Sequence, residues 1–129
     1  RDPRQVSQQA DLLADRIRAG HRILIFAEGT SSDGARVLPF RASLFAAFLK
    51  AAPMDLQPVT LRYTAPQGQD ARFYGWWGGM ELGPSLRAVL ASRRAGGLTV
   101  TFHDPIPVDA GTQRKALAKT AEMAVRSAL

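Results

Sequence analysis

The sequence contains no cysteine and no apolar run that approaches the length of a membrane-spanning helix. The first absence excludes disulfides, thiolate metal sites and a cysteine nucleophile, and it fits a reducing compartment. The second matters because crossing the hydrocarbon core of a bilayer takes about 20 consecutive apolar residues. The opening residues carry no signal-peptide pattern. Histidine is scarce too, since the chain has only two, and this leaves few candidates for a general base.

Acidic residues are outnumbered by basic ones, 11 against 17, which gives a formal net charge of +6. This balance suits an anionic partner, which would be nucleic acid, an anionic membrane surface or an acidic carrier protein. Nucleic acid has the least support of the three, because no basic stripe interleaved with aromatic residues occurs. Arginine supplies most of the positive charge, a bias that a GC-rich genome would also explain.

Helical and strand patterns alternate along the chain. Helices are predicted where apolar residues recur on one face between capping and stop signals, and strands where short apolar runs lie between turn residues. The alternation indicates a layered α/β domain, with a mostly parallel or mixed sheet flanked by helices. The predicted helices cover residues 3–19, 41–51, 84–94 and 112–127, and the predicted strands cover residues 22–26, 56–63, 72–77 and 98–103.

The chain opens on Arg1 rather than Met, and its first predicted helix has no strand before it. In a layered α/β domain an upstream strand normally feeds such a helix. We therefore expect the sequence to be truncated at its N-terminus, and residues 1–129 to be the C-terminal part of a single domain. No internal repeat, low-complexity segment or linker divides it.

Polar residues follow the first predicted strand directly, where the apolar residues 23–27 lead into Glu28-Gly29-Thr30 and then Ser31-Ser32-Asp33-Gly34. In an open α/β sheet, ligands bind beyond the carboxyl ends of the strands. Glycine can turn backbone N–H groups toward a ligand, the hydroxyls add donors, and Glu28 adds an acceptor. A capped polar turn without a ligand explains the same residues. The residues alone leave both interpretations open.

Residues 26–34 read FAEGTSSDG and residues 38–41 read LPFR. Together they resemble the third conserved block of the glycerolipid acyltransferases, which reads F-P-E-G-T-R-S and is followed by F-K and a small residue. The apolar stretch LQPVTL at 56–61 is similar to the family's fourth block, a strand that contains a proline. The resemblance covers residues 1–62. Beyond them, YGWWGGM at 74–80 looks like the branch with bacterial lyso-ornithine-lipid and lysophosphatidate acyltransferases.

The resemblance implies an O-acyltransferase of membrane lipid biosynthesis with a glycerol-3-phosphate acyltransferase-like fold. Such an enzyme moves an acyl group from acyl carrier protein or coenzyme A to the hydroxyl of a lysolipid. The implied partners are therefore the acyl-ACP or acyl-CoA donor, the lysolipid acceptor and a membrane surface, without nucleic acid. No metal, no cofactor and no covalent acyl-enzyme are implied. The expected location is the cytoplasmic face of the inner membrane.

The family's general base is the His of a His-x4-Asp block, which takes the proton of the acceptor hydroxyl. Neither histidine here fits, because His21 has no carboxylate at that spacing and His103 is followed directly by Asp104. We therefore expect the dyad upstream of Arg1, no catalytic residue within this chain, and no activity from this fragment alone. An Arg of the family's second block has a possible remnant in Arg1 or Arg4. The substrate-binding residues implied by the resemblance are Glu28, Gly29, Thr30, Ser31, Arg1, Arg4 and Arg41.

Ser31 stands where the family has an arginine that contacts the acceptor phosphate, and Ala27 replaces the family's proline. The loss of that arginine favours an acceptor without a phosphomonoester. The resemblance therefore points to lyso-ornithine lipid first and lysophosphatidate second, with Arg36 or Arg41 as substitute phosphate ligands in the latter case. We expect Glu28→Ala to cut turnover of the full-length enzyme by at least about tenfold, the scale on which positioned active-site groups contribute.

Other interpretations of the same residues stay open. A non-catalytic lipid- or anion-binding α/β module would use residues 29–32 as an anion nest. A hydrolase built on Asp33 has less support, because no partner acid or metal-ligand spacing lies nearby. Trp76-Trp77 suits a membrane interface or the packing of a hairpin. Helix 41–51 suits an acyl tunnel or a core. The cluster Arg87, Arg93 and Arg94 suits anionic lipid, an acidic carrier protein or a solvated helix face.

Overall fold

The structure, a computed structural model, describes the backbone of residues 3–129 and the side chains of residues 7–129. All four predicted helices are confirmed, with ends that shift by three residues at most. The elements are α1 (Pro3–Arg18), a 3-10 helix (Ala42–Phe45) that continues as α2 (Ala46–Ala51), β1 (Met54–Leu56), β2 (Val59–Thr64), α3 (Leu82–Ala91), β3 (Gly97–Phe102), β4 (Ile106–Val108) and α4 (Arg114–Arg126).

The strands form two separate antiparallel pairs. β2 pairs with β3 from Val59 opposite Phe102 to Thr64 opposite Gly97, and the shorter β1 pairs with β4. The predicted mostly parallel or mixed sheet is therefore wrong for the described residues, although the mixture of helices and strands is confirmed. A parallel pair needs a crossover that packs over the sheet. Helix α3, which connects β2 to β3, has no buried residue and does not serve as such a crossover.

Two predicted strands are absent from the described chain, and two observed strands were missed: β4, and β1, which overlaps the predicted strand 56–63 only at Leu56. Residues 23–26 are extended and expose alternate side chains, but they have no strand partner in the described range. Residues 72–77 begin in turns, in which the N–H of Gly75 donates to the carbonyl of Arg72. Residues 104–111, which lie between the predicted strand 98–103 and the predicted helix 112–127, contain β4. A short apolar run becomes a strand only where a partner is available, and local pattern does not contain that information.

The core lies between α2 with its 3-10 turn, α4 and the β1–β4 pair. Phe45 stacks on Phe40 with ring centroids 6.3 Å apart and meets Phe48 edge-on at 6.1 Å. Helix α4 contributes one apolar face, because residues spaced by three and four share a side of a helix. The buried residues of this cluster are Phe45, Phe48, Leu56, Val108, Leu117, Ala118 and Ala121.

A polar contact ties the β2–β3 pair to α4. The buried Thr60 donates its hydroxyl proton to the carbonyl of Val125 at 2.9 Å, and its oxygen lies 2.8 Å from Nε2 of His103. Because a hydroxyl has one proton, Nε2 of His103 must donate to Thr60. His103 therefore has a structural partner. His21 is exposed just after α1.

Candidate functional site

The site is built on the loop of residues 27–41, here called the site loop. It opens with a tight turn in which the N–H of Gly29 donates to the carbonyl of Phe26 at 3.0 Å, with Gly29 at φ +67°. A Cβ on Gly29 would lie 2.7 Å from Cδ and 2.8 Å from Nε of Arg41. Glycine is required here for two reasons: the left-handed backbone, and the close passage of the Arg41 side chain.

Arg41, the last residue of the site loop, forms hydrogen bonds with the first residues of the loop. Its backbone N–H donates to the carbonyl of Ala27 at 2.9 Å, and its Nε donates to the carbonyl of Glu28 at 3.2 Å. The sequence placed Glu28, Gly29 and Arg41 in one binding site, and the structure brings these three residues into direct contact. Arg41 acts on the backbone of the motif in this arrangement.

Two carboxylates stabilise the C-terminal part of the site loop by accepting hydrogen bonds from its backbone. Oε2 of Glu28 accepts the backbone N–H of Leu38 at 3.1 Å, and Oε2 of Glu122 accepts that of Phe40 at 3.0 Å. Pro39 between them has no N–H to offer. The donors on either side of the proline are therefore each satisfied by a charged acceptor, which forms a stronger bond than a neutral one. Glu28 shapes the loop as well as facing the cavity beside it.

Glu122 is a site-building residue that sequence reasoning missed. It is buried on α4, where its Oε1 accepts a hydrogen bond from Nζ of Lys119 at 3.2 Å and forms an ion pair with Nε of Arg126 at 3.1 Å. The hydrogen bond from Phe40 lowers the pKa of Glu122 from its ordinary value of 4.5; burial opposes this shift, and Lys119 and Arg126 support it. One signal was available: Glu122 directly follows Ala121 on the apolar face of α4, where a carboxylate needs a partner.

The polar side chains that follow Gly29 fall into two groups, those that bond to the local backbone and those that are exposed. Oγ of Ser32 accepts the N–H of Gly34 at 3.2 Å, and Oδ1 of Asp33 accepts that of Ala35 at 3.1 Å. These contacts are typical of local polar turns, so the turn interpretation is correct for this pair. Thr30 and Ser31 are exposed beside them. Within residues 7–129, no group of three His, Asp or Glu side chains is arranged to hold a metal ion.

A cavity of about 470 Å³ opens beside the site loop. Its walls are mainly apolar, and most of its polar residues come from the site loop and from residues 55–60, which add Asp55, Gln57 and Thr60. Neither histidine lines the cavity. Gly29 and Arg41 also lie outside the lining. Apolar lining residues include Ile25, Phe45, Phe48, Leu56, Val59 and Val125, and polar ones include Glu28, Thr30, Ser31, Asp33 and Arg36.

The helix that was predicted as either core or acyl tunnel belongs to the core, and two of its buried residues, Phe45 and Phe48, also line the cavity. An elongated apolar ligand with a polar head suits this arrangement, with the head at the loop. Arg1 and the side chain of Arg4 lie outside the described residues, so their predicted roles stay predictions. In the part of the chain that the structure describes, no helix is both long enough and apolar enough to cross a bilayer.

Comparisons with known proteins agree with the sequence motifs. Residues 1–62 match the model of the family described as Acyltransferase. The chain is 51% identical to a lyso-ornithine lipid O-acyltransferase of Rhodobacter capsulatus, over 100% of this chain and 48% of that protein. It is 41% identical to one of Brucella abortus (94% and 49%) and 34% identical to one of Pseudomonas aeruginosa (99% and 47%).

The chain thus spans about half the length of the curated relatives it matches. No solved structure matches it. The matched segment contains the whole site loop, with Glu28, Gly29 and Arg41, and it ends within β2. The resemblance inferred from the sequence motifs is confirmed, since residues 1–62 match the Acyltransferase model and the whole chain is similar to lyso-ornithine lipid O-acyltransferases.

Proposed function

We propose that the chain is part of an O-acyltransferase that transfers an acyl group to the hydroxyl of lyso-ornithine lipid at the cytoplasmic face of the inner membrane. The observation that carries the proposal is the apolar cavity whose polar lining includes Glu28, Thr30 and Ser31 of the site loop. The relatives named for this activity in other bacteria support it. The general base would come from an upstream His-x4-Asp block.

The charges at the cavity suit a zwitterionic head group. Among the described residues, the charged side chains that line the cavity are three carboxylates and one guanidinium: Glu28, Asp33, Asp55 and Arg36. An ornithine head group carries a carboxylate and an ammonium, which complement a guanidinium and a carboxylate respectively. A phosphomonoester would instead require several cations, and Ser31 occupies the position of the family's arginine. The exposed hydroxyls of Thr30 and Ser31 would then donate to the head group.

The acyl chain of the acceptor would lie along the apolar wall formed by Phe45, Phe48 and Leu56. Burial of each CH₂ contributes about 0.8 kcal/mol, so even part of a fatty chain would bind substantially. The donor would be acyl-ACP or acyl-CoA, since both partners are anionic and the chain carries a net charge of +6. Lysophosphatidate is the second acceptor to consider, with Arg36 as its phosphate ligand.

The test is an acyl-transfer assay on the native-length protein in detergent, with both donors and with lyso-ornithine lipid and lysophosphatidate side by side. We expect transfer to lyso-ornithine lipid to dominate. Preference for lysophosphatidate would overturn the acceptor assignment. Retention of lysolipid binding without transfer to either acceptor would overturn the enzymatic proposal and favour the lipid-binding module.

A charge-restoring variant makes the acceptor test sharper. Ser31→Arg reinstates the family's arginine beside the cavity, and we expect it to raise the ratio of lysophosphatidate to lyso-ornithine lipid turnover. Ser43→Arg is the matched control, because it adds the same charge at an exposed position that does not line the cavity. An equal effect of the two variants would show that general charge, and not Ser31, sets the preference.

A further inference from the structure

None of the ten residues of helix α3 is buried. Leu82, Leu86 and Leu90 are 56%, 51% and 76% exposed. Their spacing of four places them along one stripe of the helix. Burying each leucine side chain in an apolar medium is worth about 1.5–3 kcal/mol, so the stripe is costly to leave in water.

The segment before α3 extends the same apolar surface. Trp76 and Met80 are both partly exposed, and Nε1 of Trp76 donates to the carbonyl of Met80 at 2.8 Å. This bond closes the turn that leads into α3 and satisfies the indole N–H. A tryptophan with an apolar body and a satisfied polar tip suits the boundary between lipid and water.

Positive charge surrounds this surface. Residues 76–94, here called the α3 segment, contain three arginines, Arg87, Arg93 and Arg94, and one acidic residue, Glu81. The three arginines are exposed, and none takes part in an ion pair found among the described side chains. Long arginine side chains lay their stems on apolar material and keep the charge in water. An anionic membrane attracts each basic residue near its surface by about 1 kcal/mol.

A second exposed apolar surface lacks this charge. The register of β2 and β3 places Leu61 opposite Val100 and Tyr63 opposite Leu98 on one face, and all four are exposed. Arg62 lies between Leu61 and Tyr63 in β2. It belongs to the opposite face, because side chains alternate along a strand. The face with the leucines therefore carries no charge of its own, and two of its residues, Leu61 and Tyr63, also line the cavity beside the site loop. The α3 segment combines apolar and basic residues, as a lipid surface requires.

We propose that α3, together with Trp76 and Met80, is an interfacial helix that lies on the surface of an anionic bilayer. The leucine stripe enters the acyl boundary, and Arg87, Arg93 and Arg94 meet the lipid phosphates. The inference deepens the proposed function, because it names the surface through which the enzyme reaches an acceptor that resides in the membrane. Binding itself requires no catalysis, so the two proposals can fail separately.

The test uses the chain of 129 residues with vesicles of phosphatidylcholine, alone or mixed with phosphatidylglycerol. Trp76 and Trp77 are its only tryptophans, so intrinsic fluorescence reports on this surface alone. We expect emission to shift to shorter wavelength with the mixed vesicles, and co-flotation to be much stronger with them than with neutral vesicles. Leu86→Ser with Leu90→Ser should weaken binding by at least about tenfold, given the apolar area removed.

Matched controls exist on α1. Leu12→Ser removes a leucine that is 57% exposed, comparable to Leu86, and should leave binding unchanged. Arg16→Glu makes the same charge change as Arg93→Glu, and only the latter should weaken binding to the mixed vesicles. Circular dichroism would verify folding, which the exposed positions of these residues should preserve. Equal effects of the α1 and α3 variants would overturn the inference.

Other occupants of the surface give distinct results. If the α3 variants abolish concentration-dependent self-association but not vesicle binding, the surface is an interface between copies and the inference is wrong. If they abolish binding to an acidic acyl carrier protein but not to vesicles, it is also wrong. Transfer by the native-length protein in detergent, together with α3-independent vesicle binding, would reject the inference and keep the proposed function. Absence of transfer, together with vesicle binding that depends on α3, would reject the proposed function alone.

Discussion

The site loop and the α3 segment differ in how they are attached to the rest of the molecule. The loop has no regular secondary structure, yet contacts distant in sequence fasten it, including Glu122 to Phe40 and Arg41 to Ala27. The α3 segment contains a regular helix, but the hydrogen bonds around it are mostly local, such as Met80 to Trp77. Regular structure and firm anchoring are therefore separate properties here. Local stability should follow the anchoring.

The largest effect is expected from the carboxylate that both shapes the loop and faces the cavity. Glu28→Ala removes the acceptor for the Leu38 N–H, and we expect it to lower turnover of the native-length enzyme by at least about tenfold without unfolding it. The measurement is kcat and KM for lyso-ornithine lipid in detergent. Glu81→Ala, which removes an exposed carboxylate from the α3 segment, is the matched control.

Glu28→Gln separates the two roles of that carboxylate. The amide oxygen of glutamine still accepts the Leu38 N–H, so full recovery of turnover would show that Glu28 acts through loop shape. A persistent loss, mainly in KM, would show that its charge contacts the acceptor. Unchanged kinetics in Glu28→Ala would contradict a role of the Glu28-Gly29-Thr30 motif in turnover.

The next effect concerns the anchoring of the loop from α4. Glu122→Ala leaves the Phe40 N–H without its acceptor, and an unsatisfied buried donor costs about 1–3 kcal/mol. Urea denaturation of the chain at neutral pH would measure this loss of unfolding free energy. Glu122→Gln retains an acceptor oxygen and should lose less. Equal stability of Glu122→Ala and the parent chain would show that the loop does not depend on this anchor.

Acid provides an independent check on Glu122, because its pKa is lowered in the folded state from an ordinary value of 4.5. A lowered pKa means that the unfolded state binds the proton first, so the stabilisation is fully present above pH 4.5 and is lost as pH falls through the folded-state pKa. We expect the stability difference between the parent chain and Glu122→Gln to shrink in that acid range. A difference that stays constant with pH would contradict this assignment.

A pair of glycines in the same loop tests the contact between Gly29 and Arg41. Both Gly29 and Gly34 have positive φ, so alanine at either site costs about 1–2 kcal/mol of backbone strain. Only at Gly29 does the new Cβ meet Arg41; at Gly34 nothing lies within 4 Å. We expect similar losses of stability but a loss of turnover in Gly29→Ala alone. Equal turnover in the two variants would show that the position of Arg41 is unimportant.

The sequence predicted the helices and the chemistry of the loop better than it predicted the sheet. Residues 26–34 and 38–41 are local motifs, so their contact was foreseeable. Glu122 is 82 positions from Phe40, and the pattern of α4 alone did not reveal which backbone group it would bind. The pairing of β2 with β3 likewise depends on the path of α3, which a local pattern does not specify. The missed features are those that depend on distant partners.

The smallest effect on the unfolding free energy is expected for a substitution in α3. Leu86→Ala should change the unfolding free energy by less than about 0.5 kcal/mol, because substitutions at exposed positions rarely do more. Leu117→Ala in the core should cost about 2–5 kcal/mol, which makes it the matched reference for the same chemical change. Urea denaturation would measure both, and amide hydrogen exchange should be faster in α3 than in α4. A large loss of unfolding free energy in Leu86→Ala would mean that α3 packs on protein in solution. The leucine stripe would then not be available to bind a lipid surface.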